Sequence, residues 1–365
     1  MKGYGDPQLV LEEFWKLLRG LRRTGLQEIR GDLVLDDTFF EVSEEDPGAF
    51  DGQPFRAYNV VPNALLVNFK TVLFQFYAEP LGKRVRIATE PPLPNLQVRN
   101  GLELVDGPCR GYQAGINLQI PDAAASRVQL TGQFPARCNY YELSRAVLEH
   151  DAYAYGLFRS LWEELGGNLR GTSRSTPVPE GNRPALSWRS APLGEVIRSI
   201  NKNSNNVMTR QLLYTLGAET FGAPGTREKG IAAVRDFLAA QGLDLDSFVF
   251  DNGAGLSRNE RISAGLLADI LRAAHRSPYA AEFIASLSLG GLDGTTRQRF
   301  NGHAEAGRMH VKTGRLDHVS AVAGYVHSAG AKTHVVVVAA NAPEVHRGPG
   351  EELKHAVLHW LHEHH

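Results

Sequence analysis

An α+β fold spread over more than one domain is what this sequence predicts, and three observations lead there. Helix-period segments gather between residues 193 and 278, while strand-like segments gather after residue 309. That order is unlike the strict alternation of a doubly wound α/β sheet. Residues 81–138 differ in character, with many prolines and glycines and only short alternating pieces, which predicts a small β-rich insertion. Finally, 365 residues are too many for one ordinary domain and suit two or three.

The elements follow in order. Residues 9–24, LVLEEFWKLLRGLRRT, repeat apolar positions at three and four and predict one amphipathic helix. IRGDLVLDD alternates like a strand, and residues 58–78 hold two further strand-like runs. Within the insertion, GYQAGINLQI and SRVQLTGQF are the short alternating pieces. Residues 142–165 read as helix. The stretch from Thr172 is irregular and turn-rich, a crossover between domains. Helices are expected in LGEVIRSINKNS, NVMTRQLLYTLGAET, TREKGIAAVRDFLAAQGL and SAGLLADILRAAHRSP. Residues 309–326 read as a strand, KTHVVVVAANAP as another, and a helix closes the chain from Glu351.

Composition narrows the function. Hydrophobic residues make up 42% and charged residues 22%, as in globular proteins. A formal net charge of −1 offers no field for nucleic acid or a membrane surface. No apolar run approaches the roughly 20 residues that span a bilayer. The opening MKGYGDPQLV lacks the apolar core of a signal peptide, and read alone it leaves the chain in the cytoplasm. There is no G-x-G-x-x-G or P-loop, no motif asks for a metal or organic cofactor, and no C-x-x-C pair exists. Cys109 and Cys138 are either two buried free thiols or one disulfide worth about 3–4 kcal/mol. His362, His364 and His365 crowd the last turn; a solvated helix end is expected there rather than a metal site.

Two short patterns could carry chemistry. Lys312-Thr313-Gly314 would place a cation, a hydroxyl and an approachable backbone on a strand edge, which suits a carboxylate ligand pairing along that edge. The alternative is three common residues in a loop. Ser204 and Asn206 lie in a polar cluster before an apolar helical run. Ser204 is either the N-cap of that helix or a proton relay, with Asn206 touching a substrate amide or orienting a lysine.

Together, in this order, the patterns are those of serine–lysine acyl-transferases. GDP, GDLVLDDTFF, NKNSNNVMTRQLL, DNGAGLSRNERIS, GGLDGTTRQRF and KTGRLDHVSAVAGYV resemble the class C penicillin-binding proteins, the D-alanyl-D-alanine carboxypeptidase/endopeptidase family, from about Gly3 to about Pro343. The resemblance implies a β-lactamase/transpeptidase-like domain of helices and antiparallel sheet (1–28 and 191–365), split by an inserted domain (29–80 and 139–190) that itself carries a small β-rich domain (81–138). It implies peptidoglycan stem peptides as substrates, β-lactams as inhibitors and a periplasmic location, which favours a Cys109–Cys138 disulfide. Ser204 and Asn206 match the second family motif, and Lys312, Thr313 and Gly314 match the third, whose lysine and threonine bind the terminal carboxylate. Arg258 matches a position facing the substrate side chain, Asp317 a rim position, and Asp51 an acidic residue for a stem-peptide amino group.

One part of the pattern differs. The family's S-x-x-K, with its acylated serine and base lysine, is expected upstream of GYGDP, where this chain begins. Ser199-Ile200-Asn201-Lys202 has the spacing but ends just before Ser204 and belongs to the second motif's own run. The expectation is an acyl-enzyme hydrolase whose start lies further upstream. The alternatives are a non-catalytic binder of stem peptides and an inactive truncated product.

Overall fold

Six of the runs expected to be helical form helices, none interrupted by an internal proline. In the computed structural model, which describes residues 1–109, 115–121, 126–179, 181–300 and 305–364, the chain divides into two compact units: 1–190 with 222–226, and 191–221 with 227–365.

In the first unit, α1 (Leu11–Arg23) buries Phe14 and Leu18. Phe14 meets Phe158 of α2 (His150–Glu164) edge-on, ring centroids 6.4 Å apart. Residues 1–28 therefore group with this unit. Short parallel pairs join β1 (Glu28–Ile29) to β9 (Asn168–Leu169) and β2 (Leu33–Leu35) to β10 (Ser173–Ser175). Asp36, in GDLVLDDTFF, is fully buried and accepts from Thr38 and from the Val178 N–H. Burial opposes its charge, but these bonds outweigh it and hold the carboxyl below its ordinary range.

Two three-stranded sheets follow. Strands β3 (Val72–Glu79), β4 (Arg84–Glu90) and β8 (Tyr140–Arg145) are antiparallel in the order β4-β3-β8, and β5 (Gln97–Val105), β6 (Ile116–Gln119) and β7 (Arg127–Pro135) form a second sheet in the order β5-β7-β6. Residues 81–138 hold β4, β5, β6 and β7, and β4 pairs with β3 outside that range. Phe74 and Phe76 from β3, Val128, Leu130 and Phe134 from β7, and Trp162 from α2 share one core.

Two expectations need correction here. Of the two strand runs in 58–78 only β3 forms. Pro62 has no N–H to give a ladder, and Asn68, Phe69 and Lys70 all have positive φ. Glu142–Arg145 is strand, not helix, because every residue from Tyr140 to Arg145 pairs with β3. Cys109 and Cys138, whose pairing was left open, are joined in the disulfide that the family resemblance favours.

In the second unit, α3 (Leu193–Asn203), α4 (Asn206–Phe221), α5 (Arg227–Ala240), α6 (Ala264–Arg276) and the unforeseen α7 (Ala280–Ser286) precede a sheet of order β11-β12-β13-β14. Residues 309–326 are not one strand but a hairpin: β12 (Met309–Leu316) turns through Asp317-His318 into β13 (Val319–His327), and β14 (Thr333–Asn341) follows. β13 buries the face of Ser320, Val322, Gly324 and Val326, and on its other face Tyr325. Val322 and Val326 pack with Leu358 of the closing helix α8 (Pro349–His364). Tyr325 packs with Leu271 of α6 and donates to its carbonyl at 2.6 Å. At Gly324 a Cβ would lie 2.1 Å from the His310 carbonyl, so no other residue lets β12 approach so closely. The end of α8 is not simply solvated: His362 is buried and its Nδ1 lies 2.8 Å from the His327 carbonyl. His365 is outside the described residues.

Candidate active site

Ser204 sits where α3 ends and α4 begins. It is the left-handed closing residue of α3 (φ 53°, ψ 48°), its N–H bonded to the Ile200 carbonyl. The N-cap role belongs to its neighbour: Asn205 Oδ1 accepts from the Met208 N–H at 3.0 Å. The expected alternative of Ser204 as N-cap is therefore wrong by one residue. A non-glycine left-handed residue costs about 1 kcal/mol, and it persists only where surrounding bonds over-determine it. Here the kink holds Ser204 Oγ 2.7 Å from Lys312 Nζ, across 108 residues.

Lys312 also donates to the Thr313 carbonyl at 2.8 Å. Burial first, and the Arg299 charge second, lower the pKa of this ammonium. Thr313 Oγ1 lies 3.2 Å from Thr295 Oγ1. Thr295, within GGLDGTTRQRF, belongs to none of the motifs that carry the sequence reading; its signal is Gly294 before it. Gly294 has φ +58° and a Cβ there would fall 2.3 Å from Ser288 Oγ. That approach lets Ser288 Oγ accept from the Thr295 N–H at 3.3 Å.

Asn206 opens α4 and its amide donates to the Ala254 carbonyl at 3.1 Å. Ala254 is held in turn, since Asn252 Oδ1 accepts its N–H at 2.9 Å and Asn252 Nδ2 donates to the Leu256 carbonyl at 3.0 Å. The same turn presents Arg258, whose Nη1 donates to the Asp317 carbonyl at 3.0 Å. Asp317 Oδ1 lies 3.3 Å from His346 Nε2. The second unit thus gathers Ser204, Asn206, Lys312, Thr313, Gly314, Arg258 and Asp317 on α3, α4, one turn and one hairpin. Asp51 belongs to the first unit, where its carboxylate accepts from Tyr58 at 2.6 Å, Asn59 at 2.9 Å and the Gln53 N–H at 3.0 Å. Burial opposes its charge, yet these bonds keep its pKa below the usual value.

Lys202 does not serve Ser199. Its Nζ donates to both oxygens of Asp293, at 2.8 and 2.7 Å, tying α3 to the turn before Thr295. Among the described residues no cluster of three histidine, cysteine or acidic side chains could hold a metal ion.

The edge of β12 completes the geometry. β11 (Ser288–Leu289) pairs only with Val311 and His310, so from Lys312 to Leu316 no strand among the described residues covers that side. A sequence model of the D-Ala-D-Ala carboxypeptidase 3 (S13) family matches residues 1–363. The chain belongs to this family. Over 341 residues it is 31% identical to the D-alanyl-D-alanine carboxypeptidase of Actinomadura sp., an alignment covering 89% of this chain and 62% of that protein. It is 24% identical over 332 residues to the D-alanyl-D-alanine carboxypeptidase DacB of Haemophilus influenzae, covering 89% of this chain and 68% of that one. The fold is that of the crystal structure of penicillin binding protein 4 from Haemophilus influenzae, with TM-score 0.80 and 22% identity over 98% of this chain and 81% of that chain. This S13 chain therefore spans less than two thirds of the length of its Actinomadura relative. No helix among the described residues is long and apolar enough to cross a membrane.

Proposed function

We propose that this chain is the main part of a serine-type D-Ala-D-Ala carboxypeptidase or endopeptidase of the periplasm, acting on peptidoglycan stem peptides and acylated by β-lactams. The observation that carries the reading is the 2.7 Å contact of Lys312 Nζ with Ser204 Oγ beside the open edge of β12. The peptide backbone pairs with that edge as an added strand. Lys312 and Thr313 hold its terminal carboxylate. Gly314 supports this reading: a Cβ there would meet only Ala321 Cβ at an ordinary 3.7 Å, so β13 does not demand glycine, whereas a closely approaching ligand does. Arg258 and Asp317 meet the side chain of the stem peptide.

In the proposed reaction a serine hydroxyl attacks the carbonyl between the two D-alanines. The C–N bond breaks, and the proton reaches the leaving amine through Lys312 and Ser204. One backbone N–H from residues 314–316 steadies the oxyanion. Water then hydrolyses the ester. Asn206, anchored through Ala254, orients the lysine or the substrate amide. We assign the attacking serine and its base lysine to a segment outside residues 1–365, because Lys202, in the single S-x-x-K of residues 1–365, is committed to Asp293.

The test compares residues 1–365 with the same chain extended by its upstream coding sequence, each incubated with a penicillin and weighed intact. The extended protein should gain one ring-opened penicillin and residues 1–365 none. An adduct on residues 1–365 that maps to Ser199 would overturn the assignment of the serine. Folded extended protein that gains no mass, yet binds stem peptide, would instead favour a non-catalytic binder.

A further inference from the structure

A second polar site lies in the first unit. Along β8 the side chains alternate. Tyr140 meets Gln75 of β3 at 3.0 Å on one face, and Tyr141, Leu143 and Arg145 fall on the other. Ile116 and Leu118 share a face of β6 by the same rule. These two faces and the turn 52–56 enclose a cavity of about 330 Å³, within the range of small-ligand sites.

The lining is unusual in its charge. Phe55, Ile116, Leu118 and Leu143 make apolar walls, and two guanidiniums, Arg56 and Arg145, line the same space. Neither forms an ion pair among the described residues. Arg56 Nε is buried without a hydrogen-bond partner. Arg145 commits Nη1 to the Ser144 carbonyl at 2.7 Å. Burial, and then the charge of Arg56, act against the charge on Arg145. Asp51 feels the charge of Arg56, which helps to lower its pKa, but it forms no ion pair with either guanidinium: its oxygens face Tyr58, Asn59 and the Gln53 N–H. Two neighbouring like charges with an unused buried donor are a costly arrangement for a purely structural role. An anion between them removes both costs, and guanidiniums suit carboxylates because their donors meet both oxygens at once.

We propose that this pocket binds a carboxylate with an apolar body, the carboxylate between Arg56 and Arg145 and the body against Phe55, Ile116, Leu118 and Leu143. Phe55, Ile116, Leu118 and Leu143 offer a hydrocarbon body a surface that inorganic phosphate cannot use. The site is independent of the acyl-transfer reading.

Titration calorimetry of residues 1–365 at low ionic strength with hexanoate, its neutral isostere hexanamide and inorganic phosphate tests it. Hexanoate should bind at millimolar concentration. Hexanamide should bind about tenfold more weakly or worse, since charge-assisted hydrogen bonds are lost. Arg145→Met and Arg56→Met should each weaken hexanoate by a similar factor. Equal binding of hexanoate and hexanamide, no binding of hexanoate, or tighter binding of phosphate overturns the proposal. The isostere comparison uses the unmodified chain, so it decides the question even where a substitution unfolds the unit.

Discussion

At the scale of single residues, Lys312 shows how a cation is retained inside a strand. Burial and Arg299 both disfavour its charge, while Ser204 Oγ and the Thr313 carbonyl accept from it. The balance lies on the lowering side, which brings the ammonium closer to the working pH of a proton relay. The linkage has a definite sign. The folded pKa lies below the unfolded one, so between the two the unfolded chain binds the extra proton. Stability contributed by this site rises with pH through that window, and below it the full cost of the buried charge is present. Lys312→Met removes the cost and the relay together. We expect thermal stability at pH 7 to hold while fluorescent-penicillin labelling of the extended protein slows about 10²-fold or more. Labelling at the unchanged rate would remove Lys312 from the mechanism. Little of this was legible beforehand. Ser204 and Lys312 could be named from their motifs, but their contact spans 108 residues and depends on a left-handed Ser204 that reads in sequence as a helix cap.

At the scale of elements, a helix start and its surroundings set a titration. His150 opens α2, and its Nε2 is buried without a partner. Burial first, then the nearby Lys70 charge, push its pKa down to about 3, against a bond to the Val61 backbone. The imidazole is therefore neutral when folded and takes up a proton on unfolding below pH 6.5. Its share of the stability is lost as pH falls from 6.5 towards 3, at a limiting slope of about 1.4 kcal/mol per pH unit. His150→Gln should flatten the pH dependence of urea unfolding of the first unit between pH 7 and about 4 relative to the unmodified protein. Parallel curves for the two proteins would contradict the neutral buried imidazole. Elements differ in how openly sequence declares them. α1, α3 and α6 carry a clear helical periodicity, α4 and α5 are proline-free helix-forming runs with a weaker one, and all five form where expected. Residues 58–70 are apolar enough for a strand but contain Pro62 and the left-handed Asn68–Lys70 run. Residues 142–145 suit a helix locally, and partner strand β3 overrides that preference. The Asp317-His318 turn carries no glycine and no Asn-Gly signal, so the hairpin looked like one strand.

At the scale of the whole molecule, the two compact units should respond separately to a change confined to one of them. The Cys109–Cys138 bond closes a 29-residue separation within the first unit, and the sequence left open whether the two thiols were paired at all. Neighbours in the chain cannot settle pairing, because a disulfide depends on where β7 and its following turn bring Cys138. In the chain-entropy picture a loop of this length restricts the unfolded state enough to stabilise the unit by about 3–4 kcal/mol. Hydrogen exchange distinguishes the units, since amides of β3 and β7 report on the first and those of β13 on the second. Cys138→Ser, or reduction of the intact protein, should lower protection in β3 and β7 while β13 keeps its rates. A loss of protection shared equally by β13 would mean that the units unfold together, and unchanged rates in β3 and β7 would mean that the core of Phe74, Phe76 and Phe134 holds the first unit without the cross-link.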